Sequence, residues 1–209
     1  MAFENNLGGI RAFGRRMILP AEEMKNLIKT ELLDKYPIRK VIDFGAGTLY
    51  WSDWFQEQFS GTGGGGKVYP VDIIFKKNVP DTKMQCYASI EELPKEEFSK
   101  EVDDPVLFFI CDVIHHLPLG EWEALKQKVI RQCRFIVVKD ISCHYRFKNW
   151  MNRMHDRIIN GEKIHDVDPD HLIADLRMHG YQCMYKNLHK LWYSHFIILA
   201  VKKSVTGQQ

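Results

Sequence analysis

Asp43-Phe44-Gly45-Ala46-Gly47 is the segment whose residue types and spacing could hold a charged ligand. It follows a short apolar run, Val41-Ile42, and precedes a helical pattern. Gly45 permits a tight turn, and Gly47 lets backbone approach a ligand where a Cβ would clash. Asp43, at the strand end, can meet a cationic or amine-bearing group. Asp72 closes the next β-type run, Val68–Ile74, where an acidic side chain can accept both hydroxyls of a ribose. A nicotinamide site would use G-x-G-x-x-G, but the third position here is Tyr50, too bulky for close helix–strand packing. A ligand with a ribose, an adenine and a charged amino-acid tail suits Asp43 and Asp72 better.

Groups that could move a proton follow two later strands. His115 and His116 come after Val106–Cys111, and Lys139, Asp140 and His144 come after Phe135–Val138. Sites of α/β proteins form at such carboxyl ends. Histidine titrates near neutral pH and is the usual base there, with Asp as an alternative. His116, Asp140 and His144 are the candidate catalytic residues, and His115 is expected to pack beside the bound adenosyl group. A helical pattern over Tyr145–Ile159 sets Lys148, Asn152, His155 and Asp156 on one face, either solvated or walling an acceptor. Adjacent histidines with no H-x-x-x-H spacing give no metal site.

The elements that must position these groups alternate. Pro20 opens a helix that Tyr36-Pro37 ends. Strand Val41–Phe44, helix Trp51–Phe59 and strand Val68–Ile74 follow. The glycine-rich Gly61–Gly66 between them reads as a solvent loop. Ile90–Phe98 reads as helical. Val106–Cys111 is a continuous apolar strand of the kind buried on both faces of a parallel sheet. Helix Leu119–Gln132 and strand Phe135–Val138 come next. Asp168-Pro169 caps a helix through Met178 that Gly180 stops. Tyr181–Tyr185 and Tyr193–Val201 are the last two β-rich runs. The alternation predicts an α/β domain with a parallel sheet.

In order, these segments resemble class I S-adenosylmethionine-dependent methyltransferases. The likeness rests on Val41-Ile42-Asp43-Phe44-Gly45-Ala46-Gly47-Thr48, on Tyr69-Pro70-Val71-Asp72, and on Val106–Asp112 running into Val113-Ile114-His115-His116-Leu117-Pro118. It covers Pro37 to Lys203. It implies a seven-stranded, mostly parallel Rossmann-like sheet with helices on both faces and an antiparallel last strand inserted by the closing hairpin. It implies S-adenosylmethionine as cofactor. Asp43, Gly45, Ala46 and Gly47 would then hold the methionine end, Asp72 the ribose, and Ile73, Ser89 and Ile90 the adenine. Asp112 and Val113 would line the sulfonium region. Asp43 and Asp72 stand 29 positions apart, beyond the usual separation of about 20, and the glycine run accounts for the excess. Val137-Val138-Lys139-Asp140 with Lys148, Asn152, His155-Asp156 and Gly161 is similar to small bacterial methyltransferases of envelope-glycan, lipid or secondary-metabolite pathways. That likeness implies O-methylation of a small acceptor such as a sugar. N- or C-methylation and a non-catalytic adenosyl-binding module are the alternatives.

The 209 residues suit one domain, 1–209, with an N-terminal helical segment, 1–36, over the cleft and a core, 37–203. Arg11, Arg15 and Arg16 in that segment either face solvent or bind an anionic acceptor. Lys plus Arg number 29 and Asp plus Glu 27, so charge gives no argument for a nucleic-acid partner. No Asn-Pro-Pro-Tyr-type element follows Val106–Cys111 either. Five scattered cysteines argue against disulfides or structural zinc. The longest apolar runs are about six residues, far below the roughly 20 of a membrane span. A cytoplasmic protein acting on a small molecule is expected.

Overall fold

The computed structural model describes residues 20–61, 65–95, 105–142, 167–190 and 193–203. The arginine-bearing segment before Pro20, the middle of the glycine run, His144 and the Tyr145–Ile159 pattern lie outside them. Helix α1 (Ala21–Ile28) runs into a π-helical turn, Lys29–Leu33, with Pro20 at its N-cap. Then come β1 (Lys40–Phe44), α2 (Tyr50–Ser60), β2 (Lys67–Val71), β3 (Val106–Cys111), α3 (Leu119–Gln132), β4 (Phe135–Ile141), α4 (Pro169–Met178), β5 (Tyr181–Lys190) and β6 (Tyr193–Lys202).

The strands form one sheet in the order β2-β1-β3-β4-β6-β5. β2, β1, β3 and β4 are parallel, and β6 enters antiparallel between β4 and β5. The chain moves from β1 to β2 on one side, then crosses to β3 on the other. This reversal opens a crevice at the carboxyl ends of β1 and β3, where ligands of open α/β sheets bind.

Alternation along the strands divides the core in two. Val41, Leu107, Phe109, Phe135 and Val137 face α1 and α2, meeting Met24, Ile28, Trp51 and Phe55. Ile42, Phe108, Ile110, Ile136 and Val138 face α3 and α4, meeting Leu125, Val129, Leu172 and Leu176. Helices therefore cover both faces, and the parallel strands are apolar on both sides.

Six strands are present among the described residues, against the seven expected. Where another strand would flank β2 there is one bridge, Val71 to Tyr87. Tyr87 N–H donates to the Pro70 carbonyl (2.9 Å), and Asp72 N–H donates to the Tyr87 carbonyl (3.0 Å). Extending that ladder backwards needs an N–H at position 70, which proline lacks. In the other direction the chain leaves the sheet, because Asp72 caps a 3-10 turn, Ile73–Lys76, by accepting from Ile74 N–H at 2.9 Å. The same cap ends β2 three residues before the predicted Ile74. The helix expected over Ile90–Phe98 is, in its described part, a 3-10 turn, Ile90–Glu92. Among the described residues, no helix is long and apolar enough to cross a membrane.

Candidate active site

The turn after β1 carries three left-handed residues within five: Gly45 (φ 79°), Gly47 (φ 51°) and Leu49 (φ 63°). Gly45 and Ala46 donate their N–H groups to the Val71 carbonyl, at 2.8 and 3.2 Å, tying the turn to the end of β2. A Cβ on Gly45 would come within 2.2 Å of Val113 Cγ2, so the turn packs directly under the exit of β3. Leu49 has no glycine freedom and holds its conformation by burial against Phe75 and Ala46.

Asp72 is the hinge of the arrangement. Its carboxylate accepts from Gly47 N–H (2.8 Å) through one oxygen and from Ile74 N–H (2.9 Å) through the other. A carboxylate has about four acceptor positions, so about two remain for a ligand diol. Beside it Ile73 is 73% exposed, an apolar side chain left open at the crevice. Ser89 and Ile90 follow Tyr87, whose backbone pairs with Val71, one residue before Asp72, and Ile90 packs against the α3 and α4 side of the core.

Asp43 is buried and accepts a 2.6 Å hydrogen bond from the Ser52 hydroxyl on α2. Burial pushes its carboxyl up to about 7. The hydroxyl and backbone of Ser52 oppose that rise, and the charge of Asp72 adds to it. Sequence reasoning missed Ser52. The signal was a small polar residue beside Trp51, Trp54 and Phe55 on the buried face of an aromatic helix.

At the exit of β3, Asp112 adopts φ 56° and faces Lys139 on β4. The ammonium of Lys139, fully buried, donates to both Asp112 oxygens at 2.5 Å. Burial alone would raise the Asp112 carboxyl; Lys139, with His195 and His115 nearby, holds it down at about 2. His195, buried on β6, was not foreseen: it reaches the site through the antiparallel register that sets it opposite Ile141.

The other face of the sheet carries a second buried unit. Asp140 is fully buried and accepts from Ile114 N–H (2.9 Å), from Ile141 N–H (2.7 Å) and from His115 Nδ1 (2.5 Å). Asp140, a candidate proton acceptor in the sequence, forms a unit with His115. His115 was expected against the adenosyl group; it is buried, with its ring 4.0 Å from that of the exposed His116. His116 therefore lies at the surface of this unit, and His144 is outside the described residues.

The structure thus brings together Asp43, Gly45, Ala46, Gly47, Asp72 and Val113 around the crevice. Asp112 joins Lys139, and Asp140 joins His115 one strand further along. No protein-family model matches the sequence, and neither does any curated protein. Solved structures do match in shape. An S-adenosylmethionine-dependent methyltransferase from Archaeoglobus fulgidus superposes with a TM-score of 0.62 at 17% identity, over 92% of this chain and 99% of that one. Magnesium protoporphyrin IX methyltransferase from Synechocystis PCC 6803, with S-adenosylhomocysteine bound, gives 0.60 at 14% identity, over 87% and 81%. An O-methyltransferase family protein from Burkholderia thailandensis gives 0.58 at 10% identity, over 93% and 60%. At these identities the fold is what is shared, and it is the class I methyltransferase fold.

Proposed function

We propose that this chain is an S-adenosylmethionine-dependent methyltransferase that methylates a hydroxyl oxygen of a small acceptor, such as a sugar or an envelope-glycan or lipid precursor. The observation that carries the reading is the Asp72 carboxylate, fixed by Gly47 and Ile74 N–H groups at the strand reversal with acceptor capacity to spare. It fits a ribose diol. The exposed Ile73 beside it fits an adenine face, with Ser89 and Ile90 alongside. Gly45, Ala46 and Gly47 form the turn beneath the amino-acid tail, where a Cβ on Gly47 would meet nothing nearer than 3.9 Å, and Asp43 gives that tail a carboxyl. Val113 packs on Gly45 at the turn, and Asp112 beside it in sequence completes the lining this reading gives the sulfonium. The donor, when bound, supplies an electrophilic methyl group and a thioether leaving group.

The chain's own residues then hold the acceptor in line and take its proton. Orientation of that kind supplies much of the rate in a bimolecular transfer. A hydroxyl keeps its proton at neutral pH, so a base contributes about 10²–10⁴-fold. The histidines and Asp140 at the exits of β3 and β4 are the groups for that task. In this reading the protein works in the cytoplasm on a small molecule, with no nucleic-acid partner and no resident metal.

Calorimetry with S-adenosylhomocysteine tests the donor site: micromolar affinity, roughly −8 kcal/mol, is expected, with no heat from NAD. Radiolabelled S-adenosylmethionine with a panel of free sugars and their amino derivatives tests the transfer. Label only on the amino sugars would move the reading to N-methylation. Binding without any transfer would leave an adenosyl-binding module.

A further inference from the structure

We propose that the segment after β2, Ile73–Val79, seats this protein peripherally on an anionic lipid surface. The proposal does not rest on the methyl-transfer reading, and vesicles alone test it.

The 3-10 turn Ile73–Lys76 is firmly built and turned outward. Asp72 caps it at Ile74 N–H, and Phe75 N–H donates to the Asp72 carbonyl at 3.0 Å. The Lys77 and Asn78 N–H groups both donate to the Ile74 carbonyl at 3.0 Å. Phe75 is buried, clusters with Ala46 and Leu49, and anchors the turn. Each of the other six residues from Ile73 to Val79 is exposed. At about three residues per turn, side chains three apart eclipse. Ile73 therefore shares a column with Lys76, and Ile74 shares one with Lys77. The two columns diverge by about 120° on the side away from Phe75. A flat surface touching that side meets two isoleucines with a lysine beside each. Ile74 is 51% exposed, and Val79, two residues past Lys77, is 62% exposed.

Charge selects the partner. The segment carries Lys76 and Lys77 and no acid, and just beyond it Asp81 and Lys83 cancel. An anionic bilayer takes up this combination: aliphatic groups enter the headgroup boundary while ammonium groups meet lipid phosphates. A second copy seated here would set these lysines against their own counterparts. A single-stranded nucleic acid needs aromatic rings to stack on, and the ring of this segment, Phe75, is buried. Ile73 also follows Asp72, so docking sets that end of the crevice beside the headgroups.

The test is sedimentation of the whole chain with vesicles of phosphatidylcholine and phosphatidylglycerol, two to one, and of phosphatidylcholine alone. Binding to the mixed vesicles is expected, with affinity for the neutral ones at least about tenfold weaker. Raising salt from about 0.1 M to 1 M cuts the screening length from about 10 to 3 Å and should weaken binding by a similar factor. Lys76→Gln and Lys77→Gln should each weaken it about fivefold, and together about 25-fold. Ile74→Ser and Val79→Ser should each weaken it about five- to tenfold. Urea midpoints of these variants should stay close to that of the wild type, because the replaced side chains are exposed. Equal binding to both kinds of vesicle, binding to neither, or full binding by the double lysine variant overturns the proposal. So does binding that disappears only when Arg11, Arg15 and Arg16 are replaced, which would move the contact to the N-terminal segment. A dimer in sedimentation velocity, or capture of a single-stranded oligonucleotide, that the same substitutions abolish while vesicles stay unbound would assign the patch to a second copy or to nucleic acid. Calorimetry with S-adenosylhomocysteine on the same preparation decides the donor site separately, so either reading can fail while the other stands.

Discussion

Replacing Asp43 by asparagine should flatten the pH dependence of stability, and the size of that change follows from the site. Burial raises this carboxyl from its ordinary 3.8 to about 7 against the pull of Ser52. Between those values the folded protein holds a proton that the unfolded chain has released. Stability therefore falls as pH rises through the window, because the native state binds the extra proton. About three pH units at 1.36 kcal/mol each gives on the order of 4 kcal/mol lost by pH 8 relative to pH 4. The substituted amide can still accept from the Ser52 hydroxyl and has nothing to ionise. Urea unfolding at pH 4.5, 5.5, 6.5 and 7.5 measures both proteins, with m-values compared to exclude a change in the unfolded state. The wild type should lose stability relative to Asp43→Asn with each step, and the variant should be the more stable protein at pH 7.5. Parallel curves would refute the reasoning. The same proton should leave when a cationic ligand binds. Calorimetry of S-adenosylhomocysteine at pH 6 in buffers of different ionisation enthalpy should then show proton release in the wild type and none in the variant.

Further expectations are separable. Gly45→Ala should destabilise by about 2–4 kcal/mol, from left-handed strain of about 1–2 kcal/mol and the 2.2 Å collision with Val113. In a Val113→Ala background, thermal melting should show the cost of Gly45→Ala falling toward the strain alone. Asp72→Ala should weaken S-adenosylhomocysteine binding by about 2–4 kcal/mol in titration, since bonds to a charged group are worth about 1.5–3 kcal/mol each and do not add. It should also cost about 1–3 kcal/mol of stability, through the lost bonds from Gly47 and Ile74 N–H. Asp112→Asn should destabilise by about 3–5 kcal/mol in urea, because it strands the fully buried Lys139 ammonium. Lys139→Met should cost less, since the Asp112 side chain is 37% exposed and can be solvated. Adding Lys139→Met to Asp112→Asn should recover most of the loss, and a double variant as unstable as Asp112→Asn would count against the pair.

Much of the fold was legible because local pattern and tertiary outcome agree. Helix α3 spans the predicted Leu119–Gln132 and β3 the predicted Val106–Cys111. Asp168 caps α4 through Asp170 and His171 N–H, as its place before Pro169 implied. The misses have distant causes. β4 runs to Ile141 instead of Val138, because Asp112 and His115 from other elements satisfy the charges of Lys139 and Asp140 inside a strand. β5 extends to Lys190, past the expected Tyr185, because β6 pairs with it along its whole length. The missing neighbour of β2 turns on the single absent N–H of Pro70. The glycine turn and Asp72 could be read because their geometry is local. The pairing of His115 with Asp140 could not: the carboxylate stands 25 positions on in sequence, on another strand.

The insertion of β6 between β4 and β5 also sets a timetable for the newborn chain. β4 is buried along all seven of its residues, yet its outer partner is the last strand to be synthesised. At roughly 5–20 residues per second, the 52 positions from Ile141 to Tyr193 keep a ribosome busy for about 3–10 s. During that interval β4 is an unpaired edge with an apolar run, Phe135–Val138, open to pairing with another nascent chain. Two residues then interrupt that run with charge, Lys139 and Asp140. Until β6 arrives they act as gatekeepers, the role that charges play beside unavoidable hydrophobic strands. The groups that hold Asp112 and His115 in the finished protein thus guard it against aggregation while it is being made. A variant neutralised at both positions should show the defect first in soluble yield from rapid expression, before any assay of purified protein.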